Sequence, residues 1–282
     1  MNYLFLKNLL EYQKDTFGDE IYEKFEILDT FSLNKREDDV SSISNNKNKL
    51  NDNSQTKEET YEKFITKKES EVEQDLLLNS KKSNKEEFNL SKNLEDLYVK
   101  IHQCQNCPLG LNRNKFVFGK GNAKADIMLI GEAPGAEEDL RGEPFVGKAG
   151  ELLTKILAAI NLKREEVFIA NIVKCRPPNN RNPLPEEINK CLPYLLKQIE
   201  LIKPKFILCL GLIAANSLLN KKQTLSFYRG KVFEFNGANV MVTFHPAALL
   251  RNPSWKKDCW EDVKKFRSLY DEYLQNKKIK NG

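Results

Sequence analysis

From residue 94 onward, apolar positions alternate between two periods. Short, nearly continuous apolar runs predict strands at residues 125–130, 167–173, 206–210, 231–235 and 240–244. Between them, apolar residues at helical spacing predict helices at 148–160, 185–202, 212–219 and 254–274. A further helix opens at Asn93-Leu94 and runs toward Cys104. Alternating strands and helices, with strands apolar on both faces, predict a three-layer α/β/α sandwich around a mainly parallel sheet. Active sites of such sheets lie beyond the carboxyl ends of the strands. The irregular segments GEAPG, the run Asn171 to Pro178, and HPAALLRNP all fall there.

The first third has a different texture. Residues 1–30 carry apolar positions at helical spacing (Tyr3, Leu6 and Leu10, then Ile21, Phe25 and Leu28), which predict one or two short helices. Residues 34–93 are rich in Asn, Ser, Lys and Glu. They offer too little apolar surface to offset chain entropy, so a disordered tether is expected. The division expected is an N-terminal extension over 1–93, a folded domain over 94–275 and a basic tail over 276–282. The extension reads as a solvated linker, with a docking arm for a repair or replication partner as the alternative.

Charge changes this picture modestly. Residues 1–100 carry 16 Lys and Arg against 22 Asp and Glu, whereas residues 101–282 carry 29 against 18. A basic C-terminal part suits a polyanion, since Lys and Arg release counterions from phosphates. No apolar run of ~18 residues exists, and the first twenty residues lack the features of a secretory signal. No membrane partner is expected, and a cytoplasmic location is the expectation.

Six cysteines in such a chain argue against a disulfide framework, and none precedes residue 104. Cys104 and Cys107 have the CxxC spacing that lets two thiolates reach one metal centre, and Cys175 and Cys191 form a second pair. Four thiolates complete either a [4Fe–4S] cluster or a structural zinc, and spacing does not separate the two. Cys209 lies in an apolar strand and reads as core. Cys259 has no assigned role, and His102 reads as a surface residue.

Four motifs then stand in order: Gly131-Glu132-Ala133-Pro134-Gly135-Ala136-Glu137-Glu138-Asp139, Glu143-Pro144-Phe145-Val146-Gly147, Asn171-Ile172-Val173-Lys174-Cys175-Arg176-Pro177-Pro178, and His245-Pro246-Ala247. With CxxC ahead of them, this order resembles the family 4 uracil-DNA glycosylases, over roughly residues 95–273. The resemblance implies the α/β/α fold and a [4Fe–4S] cluster on Cys104, Cys107, Cys175 and Cys191. It also implies hydrolysis of the N-glycosidic bond of uracil in single- or double-stranded DNA during base excision repair. A monomer is the expected state for an enzyme that bends one duplex.

The chemistry suits those residues. Uracil release develops a cationic sugar and an anionic base, and the base must first be flipped into a pocket. By resemblance, Phe145 is the aromatic platform, and Asn171 reads the Watson–Crick edge as donor and acceptor together. Glu138 is the wall against thymine's methyl group, and backbone N–H groups of the Glu132–Ala133 turn hold the base. His245 donates to uracil O2. Ala133 stands where the best-studied glycosylases carry a water-positioning Asp, which leaves Glu132 as the motif carboxylate for that role.

The loop through Leu249, Leu250 and Arg251 resembles the minor-groove wedge. Arg176 and Arg181 are candidate phosphate contacts on a loop stapled by the cluster. One relative bonds covalently to uracil-DNA through a histidine in this loop. None lies here, so ordinary turnover is expected. The competing readings are a superfamily member with broader substrates, a zinc or iron–sulfur redox protein, and a non-catalytic module like a phage polymerase-associated domain of similar fold.

Overall fold

The computed structural model describes residues 87–281. The helices expected within 1–30, and the tether up to residue 86, lie outside the described residues. Within the described part of the expected tether, Phe88–Leu90 forms a 3-10 turn. Phe88 is buried edge-on against the Tyr194 ring. Phe88 and the buried Ser91 thus pack the last residues of the expected tether on the domain.

The sheet contains β1 (Lys120–Gly121), β2 (Ile127–Gly131), β3 (Phe168–Asn171), β4 (Phe206–Leu210), β5 (Phe233–Phe235) and β6 (Ala238–Thr243), in the order β1-β3-β2-β4-β6-β5. The four central strands run parallel, and the edge strands β1 and β5 are antiparallel to their neighbours. Side chains alternate across the sheet with the period of two that a strand imposes. Met128, Ile130, Ile207, Cys209, Val240 and Val242 enter one core. Ile127, Leu129, Phe206, Leu208 and Met241 enter the other.

Helices cover both faces. α1 (Leu94–Ile101), α5 (Pro185–Ile202) and α6 (Leu212–Leu219) contribute to the first core. α4 (Lys148–Ala159), α8 (Pro246–Arg251) and α9 (Lys256–Asn281) contribute to the second. Shorter helices α2 (Leu109–Asn112), α3 (Ala136–Arg141) and α7 (Leu225–Tyr228) fill the connections. α5 begins with Pro185 at its first turn, where the missing N–H costs nothing, and ends at Lys203 in the left-handed region. The expected α/β/α sandwich is therefore present. The terminal helix runs to Asn281 rather than stopping near 274, because no Gly or Pro interrupts the chain before Gly282. Among the described residues, no helix is long and apolar enough to cross a membrane.

Candidate active site

Parallel strands bring their carboxyl ends to one side of the sheet. Gly131, the last residue of β2, pairs with Asn171, the last of β3. Thr243 ends β6 beside Leu210 of β4, and the chain passes through Phe244 to His245. Loops leaving these ends enclose a cavity of about 340 Å³. Glu132 and Ala133 line it from the turn after β2, Glu138 from α3, Phe145 from the next loop, Ala149 from the start of α4, and Asn171 from β3. Arg181 and Asn182 come from the Pro-rich loop, and His245 and Arg251 from the last one.

Asn171 is 2% exposed, and its Oδ1 accepts from no donor among the described residues. A buried acceptor without a partner forfeits its hydration and regains nothing, so such atoms in a cavity mark places that a ligand donor completes. Phe145 is buried at φ +54°, a conformation that a bulky side chain enters only when its surroundings impose it. Two glycines supply that space. A Cβ on Gly150 would lie 1.9 Å from the Phe145 carbonyl oxygen. A Cβ on Gly131 would lie 2.4 Å from Asn171 Oδ1 and 2.6 Å from the Phe145 ring.

Glu138 joins two segments. Its carboxylate accepts from Gly135 N at 3.1 Å, Val146 N at 2.9 Å and Gly147 N at 3.1 Å. It thereby ties the start of α3 to the loop that carries Phe145. Asp139, buried beside it, accepts from the Asn114 backbone N–H at 3.0 Å and from the Asn114 side chain.

The half-buried His245 ring accepts at Nδ1 from Ala247 N at 3.2 Å, which leaves the proton on Nε2. Burial first, and then the positive charge of Arg251, lower its pKa to about 4, so the ring is neutral near pH 7. Burial raises the Glu132 pKa, and nearby Arg251 partly opposes the shift.

The wedge expectation needs one correction. Leu249 is fully buried in the second core, where it packs as a structural side chain, so it cannot reach DNA as expected. Leu250, one residue on, is 45% exposed. A 100° turn per residue on α8 sends neighbouring leucines in different directions. Arg251 is exposed at the cavity rim. Arg181 is not a free cation either, since its guanidinium makes a bidentate pair with the buried Glu187 at 2.7 and 2.9 Å. Arg176 bonds Asn180 Oδ1 at 2.8 Å and lies outside the cavity lining.

The four cysteines share one neighbourhood. Cys175 lies within the electrostatic reach of Cys104 and Cys107, and Cys191 within that of Cys104 and Cys175. Donors point at the sulfurs: Asn106 N and Tyr194 Oη at Cys104 (3.5 and 3.2 Å), Arg113 at Cys175 (3.4 Å), and Lys174 N at Cys191 (3.3 Å). Burial pushes the Cys175 thiol up to about 11 and the Cys191 thiol up to about 12. Among the described residues, no group of three or more His, Cys, Asp or Glu is arranged to hold a single metal ion. Four cysteines in one neighbourhood, three of them with N–H or O–H donors on their sulfurs, fit the ligand chemistry of an iron–sulfur cluster. Cys209 is a core residue, as expected, and Cys259 is buried under Thr243 Oγ1 at 3.4 Å. His102 is half-buried and stacks on Tyr98.

Motif reading passed over Arg113, Asp139, Lys174, Tyr194 and Gln198, all of which hold the site together from behind. Only Lys174 and Asp139 lay inside a recognised motif.

The arrangement of loops at the strand ends places Phe145, the buried Asn171 amide and the His245 imidazole around one cleft on an α/β/α frame. The uracil DNA glycosylase superfamily matches residues 118–264. A type-4 uracil-DNA glycosylase of Archaeoglobus fulgidus is 46% identical over 186 residues, 63% of this chain and 94% of that protein. Its counterparts in Pyrobaculum aerophilum and Thermotoga maritima are each 45% identical, over 61% and 62% of this chain and 92% and 94% of theirs. The chain belongs to the type-4 uracil-DNA glycosylase family.

Proposed function

We propose that the protein excises uracil from DNA, hydrolysing the bond between the base and deoxyribose and leaving an abasic site. The observation that carries this reading is the unpartnered Oδ1 of Asn171, a residue that lines the cavity together with Phe145 and His245. Uracil presents N3–H to that oxygen and O4 to the amide N–H. Cytosine in the same pose presents a lone pair to an oxygen and an amino group to an amide donor, so both contacts turn repulsive. Phe145 stacks on the flipped base. The three backbone N–H bonds that immobilise Glu138 support its role as the wall facing the C5 position, where thymine carries a methyl group.

Chemistry follows from two titrating groups held in opposite roles. Neutral His245 donates from Nε2 to uracil O2 as negative charge grows there, and this donation is worth most in a dry site. Glu132 positions the attacking water as its acceptor. Leu250 and Arg251 hold the emptied position in the duplex. Cys104, Cys107, Cys175 and Cys191 hold a [4Fe–4S] cluster, which when bound supplies a rigid anchor for the loop carrying Arg176 and Arg181.

The direct test is binding of free bases by calorimetry. Uracil binds, thymine and cytosine do not, and Asn171→Ala loses uracil. Equal binding of cytosine would sink the assignment of Asn171.

A further inference from the structure

Lys174 is the most deeply buried cation of the described residues, with no solvent exposure. Its Nζ donates to the Asn171 carbonyl at 2.9 Å and to Gln198 Oε1 at 2.6 Å. Gln198 is itself fully buried and donates onward to the Phe118 carbonyl at 2.9 Å. Both acceptors of Lys174 are uncharged. A buried ammonium bound only by neutral oxygens pays a large desolvation penalty that dipoles do not repay in full.

The missing counter-charge is close by. Lys174 lies in the fields of Cys191 and Cys175, and its backbone N–H donates to Cys191 Sγ. Four thiolates on a [4Fe–4S] core leave a net negative charge, so a loaded site supplies the anion that the lysine lacks. The same side chain reaches back three residues to the backbone of Asn171, whose amide faces the base.

We propose that Lys174 is the buried counter-cation of the cluster and the tie that holds Asn171 in its reading position. The cluster's charge and the geometry of the uracil pocket are then linked through one side chain. This inference rests on the cluster and uracil readings above. Lys174 is a positioning residue, since it touches neither the base nor the sugar.

Two variants separate the two roles. Lys174→Met keeps the length and apolar stem but removes both the charge and the tie. Gln198→Glu keeps the tie and places a carboxylate on the ammonium, so that the lysine's charge is spent locally. Removing positive charge beside an anionic cluster disfavours electron uptake. Both variants, purified anaerobically with the cluster loaded, therefore shift its reduction potential to more negative values. Only Lys174→Met also weakens inhibition by free uracil, by about tenfold for one lost buried hydrogen bond.

A merely structural lysine would change the melting temperature and leave the potential in place. If Lys174→Met does not fold, the potential of Gln198→Glu still decides the charge role. Unmoved potentials in loaded protein overturn the inference while leaving the cluster intact. Protein without iron and sulfide after anaerobic purification overturns the cluster reading, and the inference with it.

Discussion

The Phe145 ring lies 5.5 Å, centroid to centroid, from the His245 imidazole, at an interplanar angle of 33°. One residue comes from the loop after α3 and the other from the end of β6, so the two close the cavity from different parts of the chain. Packing of this kind is part of the burial that, with the positive charge of Arg251, lowers the histidine's pKa.

The pH dependence of stability follows from that shift. Unfolded His245 takes up a proton below about pH 6.5, whereas the folded protein resists until about pH 4. In between, the unfolded state binds more protons, so stability is fully present above 6.5 and falls with decreasing pH down to about 4. The loss is on the order of 2–3 kcal/mol. Urea unfolding across this range, with His245→Gln alongside, checks it: the variant has a flatter profile.

The acid limb of kcat/KM is expected to belong to Glu132. Its pKa is raised by burial, so activity declines at a higher pH than for an exposed carboxylate. The pH–rate profile of Glu132→Gln has a much lower plateau, and this limb is gone. An unchanged plateau would remove Glu132 from the water-positioning role.

Gly131→Ala forces a methyl group into Asn171 and Phe145 at once. The expected cost is about 1–3 kcal/mol of stability from overpacking. Activity falls further than the stability loss explains, because both base-reading side chains must shift. Thermal unfolding alongside the rate of uracil release separates the two effects.

Adjacent leucines on α8 are expected to behave oppositely. Leu249→Ala empties a fully buried position and costs about 2–5 kcal/mol. Leu250→Ala changes stability by less than about 0.5 kcal/mol but lowers excision from duplex DNA, while excision from single strands is spared. Chemical denaturation and paired single- and double-strand assays measure the contrast.

Much of this architecture was legible along the chain, for local reasons. The bounds of α5, β4 and α6 match the expected ones because a proline, a left-handed Lys203 and Gly211 punctuate them. α3 has no counterpart among the expected helices, although Gly135 precedes it and Gly142 closes it at φ +80°. β1 is two residues long, too short to carry a period.

The front of the site was readable because Glu132, Asn171 and His245 sit at strand ends within short motifs. Its support was not, because the contacts span long separations. Lys174 meets Gln198 across 24 residues, and Arg113 meets Cys175 across 62. No local pattern encodes such pairings. Leu249 was misassigned because a motif names both leucines, while helix geometry lets only one face solvent.

Uracil excision is measured most directly with anaerobically purified protein and labelled oligonucleotides that each carry one test base. Abasic sites are scored for uracil against thymine, cytosine and hypoxanthine, with wild-type and His245→Ala protein. Cleavable abasic sites are expected from uracil alone, with the rate reduced about 10²- to 10³-fold in the variant. Folded, cluster-loaded protein that releases no uracil, or releases hypoxanthine equally well, would contradict it.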